Sequence, residues 1–301
     1  MTKSPFVSII IITMNHEKFI AEACESAAQQ DYDHFEIIVL DNNSSDKTFE
    51  IATATLSKFP VKHKLIKNSE SFGVAKNLNI LVSHTSGEYI SILSGDDWYT
   101  KNHLREKVSF FQANTFDFIL TDGFKYYQET GEITDAYSEK GKKNLLANIG
   151  NFFHYNVSGN KTVNVGTFVS KKILTDHPFD EEIQTEDWDM NLRLSSLGYR
   201  FGFLDKKLFY YRILPTSLSR NWAVMKNSYE KVTSKYLNYI RKDKDLNEKY
   251  LLNLLHFKYE IKLSKTDHSL ERKRLKKEWK REKYRIKYKN PLLFFKLLFL
   301  K

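Results

Sequence analysis

Across the first 122 residues, short apolar runs rich in β-branched residues alternate with stretches of helical periodicity, and that alternation restricts the chain to few folds. The runs are Phe6-Val7-Ser8-Ile9-Ile10-Ile11-Ile12, Phe35-Glu36-Ile37-Ile38-Val39-Leu40, Glu88-Tyr89-Ile90-Ser91-Ile92-Leu93 and Phe116-Asp117-Phe118-Ile119-Leu120, with a weaker one at His63-Lys64-Leu65-Ile66. Runs apolar on both faces suit parallel strands covered on both sides. Between them, Phe19, Ile20, Ala23, Cys24, Ala27 and Ala28 share one helical face. Phe49, Ala52, Leu56 and Phe59 form a second stripe behind the capping candidates Ser44-Ser45-Asp46, and Val74, Leu78, Leu81 and Val82 form a third. Strand and helix repeated four times before a fifth strand predict an α/β fold: a doubly wound, mostly parallel sheet. Residues 123–185 show no clear period, 186–197 read as a helix, 200–212 as one or two strands, and the chain is helical from about 222. The expected organisation is an α/β domain over 1–221 and a helical, basic extension over 222–301.

Charge divides the chain in the same way. Of the net +10, all is carried by residues 265–301, with 14 Lys/Arg against 4 Asp/Glu; residues 1–264 hold 33 of each sign. The body therefore has no electrostatic call for a polyanion. Cys24 is the single cysteine, which excludes an internal disulfide and a cysteine metal cage. The nine histidines show no zinc-binding spacing. G-x-x-x-x-G-K-[ST], G-x-G-x-x-G and G-x-S-x-G are all absent, so P-loop, dinucleotide and α/β-hydrolase chemistry lack their signatures. No run approaches the ~20 apolar residues of a membrane span. The apolar run at 6–12 leads into Asn15-His16-Glu17-Lys18 rather than a cleavage site, so a cytoplasmic chain is expected.

Ligands of open parallel sheets bind beyond the carboxyl ends of the strands. There this sequence places Thr13-Met14-Asn15, Asp41-Asn42-Asn43-Ser44 and Ser94-Gly95-Asp96-Asp97, three polar clusters far apart in sequence but directed to one edge. Adjacent aspartates after a buried strand suit Mg²⁺ or Mn²⁺ bridging phosphates, because these cations take one or two carboxylates plus phosphate oxygens. Alone, Asp96 and Asp97 read equally well as a turn capping the next helix, and Asp41 as an Asx turn. A second acidic cluster, Glu186-Asp187-Trp188-Asp189, opens a predicted helix. It reads either as complementing the helix dipole or as supplying a carboxylate base.

The segments 7–15, 26–32, 35–46, 68–77, Gly95-Asp96-Asp97, 186–194 and Tyr211-Arg212, in that order, resemble family 2 glycosyltransferases over roughly residues 5–220. The resemblance implies the GT-A fold, an inverting reaction, a nucleotide-sugar donor (a UDP-sugar first among candidates) and a divalent metal, Mn²⁺ or Mg²⁺. By the same resemblance Thr13, Asn15, Asp41, Lys76 and Asp96 line the donor site, Asp97 meets the metal, Asp187 is the catalytic base, and Glu186 and Arg212 support them. The family's usual Tyr at 14 is Met14 here, an Asp at 94 is Ser94, an Arg at 76 is Lys76, and a His after Tyr211-Arg212 is replaced by Ile213-Leu214-Pro215-Thr216-Ser217.

The expectation is a transferase acting on a glycan or lipid-linked oligosaccharide acceptor in bacterial-type surface polysaccharide synthesis. It would sit on the inner face of the membrane. Residues 265–289 read as a basic helix with an apolar stripe of Leu275, Trp279 and Ile286, followed after Asn290-Pro291 by an apolar run at 292–300 that would lie in an anionic membrane surface or else pack on the protein body or a second subunit. Two alternatives are a non-catalytic nucleotide-sugar binder and a nucleic-acid binder using the tail. The neutral body and strand-end acids argue against the latter, and no nucleic acid is expected as a partner.

Overall fold

The computed structural model describes residues 4–215, 217 and 220–288. The chain divides into two compact units, one of residues 1–153 and 161–214, the other of residues 154–160 and 215–301. In the first, the strands are β1 (Val7–Thr13), β2 (Phe35–Asp41), β3 (Lys62–Lys67), β4 (Tyr89–Ser94), β5 (Trp98–Tyr99), β6 (Phe118–Tyr127), β7 (Ile133–Asp135), β8 (Phe168–Ser170) and β9 (Phe201–Ile213). The helices are α1 (Ile20–Ala28), α2 (Thr48–Leu56), α3 (Val74–Ser83), α4 (His103–Ala113), α5 (Glu139–Ala147), the short α6 (Phe152–Asn156) that the division cuts, α7 (Lys171–Asp176) and α8 (Glu186–Ser196).

The sheet runs β3-β2-β1-β4-β8-β6-β9-β5, with β7 paired to β6. From β3 to β4 every pairing is parallel. β1 and β2 lie at the centre of this half, and Ile9, Ile10 and Ile11 are wholly buried, each worth roughly 1.5–3 kcal/mol of transfer free energy. α1 turns Ile20, Ala23, Cys24 and Ala27 inward, the face that the sequence marks out. Burial pushes the Cys24 thiol up to about 12, leaving it an inert core group.

Beyond β4 the sheet is mixed. The expected fifth strand begins at Phe118 and continues to Tyr127, but it does not border β4. β8 lies between them, antiparallel to both. Three residues are too few to carry a hydrophobic period, which is why this strand was invisible in 123–185. β9 then pairs parallel with β6 and antiparallel with the two-residue β5.

The second unit contains α9 (Trp222–Ser234), α10 (Leu237–Lys242), α11 (Lys244–Leu263) and α12 (Ser269–Lys287). α11 and α12 form a hairpin around Leu255, Tyr259, Leu263 and Leu275, with Trp279 and Ile286 packed against them. The Tyr259 and Trp279 rings stack at 5.9 Å, and Lys258 pairs with Glu282 at 2.8 Å. The stripe Leu275, Trp279, Ile286 thus faces α11. The apolar run at 292–300 lies outside the described residues. Among the described residues no helix is long and apolar enough to cross a membrane.

Candidate active site

The parallel half delivers its loops to one edge. Thr13 pairs with Asp41 and Ile12 with Ser94, so β1, β2 and β4 finish level with one another. The ladder continues past the strands: Asn42 N donates to Thr13 O, Gly95 N to Ile12 O and Asn68 N to Asp41 O, at 2.8, 2.8 and 2.9 Å. Gly95 is required by space, since a Cβ there would stand 2.4 Å from Thr13 Oγ1. Asn15 and Asn43 take left-handed backbone (φ 55° and 60°), a conformation asparagine tolerates better than most residues. Asn15 stitches the first two loops together: its N donates to Ser44 Oγ at 2.9 Å, and its Oδ1 accepts from Ser45 N at 2.9 Å.

Asp41 is completely buried. Its Oδ1 accepts from Ser44 N at 2.7 Å, while its buried Oδ2 has no hydrogen-bond partner among the described residues. Leaving such an acceptor unmet costs ~1–3 kcal/mol, so its retention asks for an explanation. Beside it Asn42 grips the loop before α3, accepting from Phe72 N (2.8 Å) and Asn68 Nδ2 (3.1 Å) and donating to Phe72 O (2.9 Å). Asn68 Nδ2 also donates to Asn77 Oδ1 at 2.7 Å. Lys76 Nζ, from the first turn of α3, stands 3.6 Å over the Phe72 ring of this loop. Sequence reasoning gave Asn42, Asn68, Phe72 and Asn77 no individual role. The signal lay in the asparagines themselves, which are favoured where backbone groups need side-chain partners.

Asp96 and Asp97 follow β4, and the other half of the sheet holds them. Asp97 is 3% exposed, and its Oδ1 accepts from Arg212 N at 2.8 Å. Arg212 Nε donates to Asp96 O at 2.7 Å, and its guanidinium binds Glu22 and Gln128. The rings of Phe19, Trp98 and Tyr126 surround that guanidinium at 4.7, 4.6 and 5.2 Å. Arg212 therefore fixes the Asp96–Asp97 turn through the backbone, and its charge is directed to Glu22. Burial, then the neighbouring Asp96 charge, push the Asp97 carboxyl well above the usual range.

Glu186 and Asp187 open α8 and are partly buried. Asp187 Oδ1 accepts from Trp188 N at 2.6 Å and Oδ2 from Asn164 Nδ2 at 2.7 Å. Burial raises both carboxyls, and the Asp187 charge further raises Glu186, to about 8. Both carboxyls are thereby pushed toward their protonated forms, Glu186 the further. Gly166 N donates to Ile92 O at 2.9 Å, so the residues preceding β8 run out past the carboxyl end of β4. Asn164 thereby ties Asp187 to the edge that carries Asp96 and Asp97.

Among the described residues no three His, Cys, Asp or Glu side chains cluster to hold a metal unaided. The donor set still fits a divalent cation that takes most of its oxygens from a diphosphate. Asp97 commits Oδ1 to Arg212 and has Oδ2 to offer, and a cation there would offset a carboxylate that burial makes reluctant to ionise.

Residues 8–170 match the model of glycosyl transferase family 2. An uncharacterized glycosyltransferase of Methanocaldococcus jannaschii is 30% identical over 215 residues, 69% of this chain and 71% of that protein. The poly(ribitol-phosphate) β-N-acetylglucosaminyltransferase TarS of Staphylococcus aureus is 26% identical over 68% of this chain, which spans only 35% of TarS. Crystalline TarS 1–349 with UDP-GlcNAc superposes with a TM-score of 0.59 at 19% identity, covering 84% of this chain and 80% of that one. The mannosyltransferase PcManGT of Pyrobaculum calidifontis, with GDP-Man and Mn²⁺, gives 0.61 at 17% identity, covering 79% and 65%. These likenesses establish the GT-A fold. With the strand-edge loops, the acidic turn after β4 and the family match in agreement, the chain belongs to the family 2 glycosyltransferases.

Proposed function

We propose that this glycosyltransferase moves a sugar, with inversion, from a UDP-sugar to a hydroxyl of a glycan or lipid-linked acceptor in surface polysaccharide synthesis. The observation that carries the reading is the buried Oδ2 of Asp41, unpartnered among the described residues, at the carboxyl edge of the parallel strands. A base N–H of the nucleotide would supply the missing donor, as the uracil imide can. Thr13 at the end of β1, Asn15 in the loop after it and Lys76 in the first turn of α3 would line the donor, with Asp96 toward the ribose or sugar. Asp187 takes the acceptor hydroxyl proton, the freed oxygen attacks the anomeric carbon, and the bond from that carbon to the diphosphate breaks on the opposite side. A divalent cation at Asp97 would neutralise the negative charge that develops on the departing diphosphate. Glu186 and Arg212 support these two aspartates.

A thermal-shift screen of UDP- and GDP-sugars with Mn²⁺ or Mg²⁺ tests the donor, because a ligand that binds only the folded state raises the melting temperature by mass action. One UDP-sugar stabilising the protein in the presence of metal, and being turned over, is the expected result. No response to any nucleotide sugar would end this reading.

The second unit supports attachment to the inner face of an anionic membrane, by charge rather than by the Leu275–Trp279–Ile286 stripe. On α12, Lys273, Lys276, Lys280, Lys283 and Lys287 are exposed at alternating three- and four-residue spacing. That spacing makes one lysine face along ~20 Å of helix. Each lysine near the surface would add ~1 kcal/mol of attraction to anionic lipid, weakened by salt. Reversing three of them to Glu should abolish co-sedimentation with vesicles containing phosphatidylserine while turnover of a soluble acceptor persists. Unchanged sedimentation would overturn the membrane assignment.

A further inference from the structure

Asp187 and Asn191 stand four residues apart on α8 and so share a helix face. Asn164 bridges them: its Nδ2 donates to Asp187 Oδ2 at 2.7 Å, and its Oδ1 accepts from Asn191 Nδ2 at 2.6 Å. A carboxylate only accepts, so the amide must offer it the NH₂ end, and its oxygen is then left for Asn191. The Asn191 donor in turn prevents the amide from flipping. The turn carrying Asn164 is itself anchored. Gly166 has φ +69°, and a Cβ there would stand 2.4 Å from His103 Cε1 and 3.0 Å from Lys107 Nζ. The wholly buried Lys107 donates to Gly166 O, and burial holds its amine well below the usual lysine range.

We infer that Asn164 is a positioning residue for the catalytic base, and that Asn191 sets the sense of its amide. The pair holds Asp187 Oδ2 with an N–H donor while the N-terminus of α8 holds Oδ1 through Trp188 N. One lone pair of each oxygen is committed, the carboxylate plane is fixed, and the remaining lone pairs can meet an acceptor hydroxyl. The hydrogen bond also favours the ionised form, opposing the burial that raises the Asp187 carboxyl. The neighbouring carboxyl on the same helix start is Glu186, which burial and the Asp187 charge push up to about 8. This inference rests on the assignment of Asp187 as base.

The test is the pH profile of kcat/KM for the acceptor in the full chain, with donor KM and melting temperature measured alongside. Removing a donor from a carboxylate raises its pKa, so the acid limb should move up by about one pH unit in Asn164→Ala. It should move further in Asn164→Asp, where a like charge is added. Asn191→Asp replaces the donor that faces Asn164 Oδ1 with an acceptor. It should turn the amide round and shift the limb the same way, with donor KM unchanged in all three. If Asn164→Ala does not fold, Asn191→Asp reads the same coupling from one residue further away. An unmoved acid limb in folded variants, with Asp187→Asn crippled, would overturn the positioning role alone. An active Asp187→Asn would overturn the assignment of the base.

Discussion

The two halves of the sheet build their shares of the site by opposite means. In the parallel half, β1, β2 and β4 simply end together, and each loop arrives at the edge because its strand points there. In the mixed half nothing arrives so directly. Asn164 reaches the edge because β8 runs antiparallel to β4, so the residues before β8 continue from Ser91 toward the end of β4. Arg212 reaches Asp97 because the last residues of β9 run beyond the Trp98–Tyr210 pair of β5. The first half makes a rigid floor of backbone hydrogen bonds and asparagine amides. The second supplies side chains placed by distant pairings, Gly166 with Ile92 for Asn164 and Arg212 with Asp97 across 115 residues. On the proposed reading the first half is the donor floor, set by where its strands end, and the second the catalytic wall, set by side chains that other strands bring in.

The sharpest way to break that comparison is at its seam, Asp97. Asp97→Ala removes the carboxylate oxygen available to a cation, leaving the rest of the turn held by Arg212 Nε on Asp96 O. Transfer should fall by ~10³-fold or more, the scale of losing charge stabilisation at a leaving group, with melting temperature little changed. Full turnover by the variant, or by the wild type in excess EDTA, would remove the metal from the mechanism.

Next comes the catalytic wall. Asp187→Asn keeps shape and removes basicity; we expect a loss of ~10²-fold in kcat, typical of a positioned base, with donor binding intact. A loss expressed in donor KM instead would move Asp187 to the donor floor.

This division explains what could be read from the sequence. The runs at 6–12, 35–40 and 88–93 are long and apolar on both faces, so the strands and hence their ends were legible, along with Thr13, Asp41 and Asp97. The mixed half was not. β5 and β8 have two and three residues, and 123–185 supplies irregular segments whose placement is set by pairing with distant strands. Asn164 sits in such a segment, with nothing local to mark it. Asp187 and Arg212 were found through the family resemblance, since an acidic first turn alone reads as helix-dipole complementarity. The stripe on α12 was periodic in the sequence, but only its packing against α11 shows that it is used inside the protein.

A smaller effect sharpens the account of the donor floor. In Asp41→Asn, Oδ1 can still accept from Ser44 N, and a buried carboxylate is exchanged for a neutral amide. If Oδ2 serves the nucleotide, donor affinity should drop ~10-fold or more, the worth of one charge-assisted hydrogen bond. The ligand-free protein should melt no lower than wild type. A variant that melts early yet binds donor normally would make Asp41 a structural residue.

The smallest expected effect separates the two carboxyls at the start of α8. Glu186 carries its proton to about pH 8 in the folded protein, against an ordinary glutamate value of 4.5. A raised folded value means that the unfolded chain releases this proton first. The contribution of Glu186 to stability is therefore complete below about pH 4.5 and declines as pH climbs toward 8. Glu186→Gln imitates the protonated form at every pH. At pH 7 it should leave turnover within about twofold of wild type, because the group it replaces is already neutral there. It should also flatten the fall in melting temperature between pH 5 and 8, leaving the variant the more stable protein at the alkaline end. Melting curves and initial rates across that range read both effects from one set of samples. A collapse of turnover at pH 7 in Glu186→Gln, beside a nearly silent Asp187→Asn, would exchange the two roles and place the working base one residue earlier on the helix.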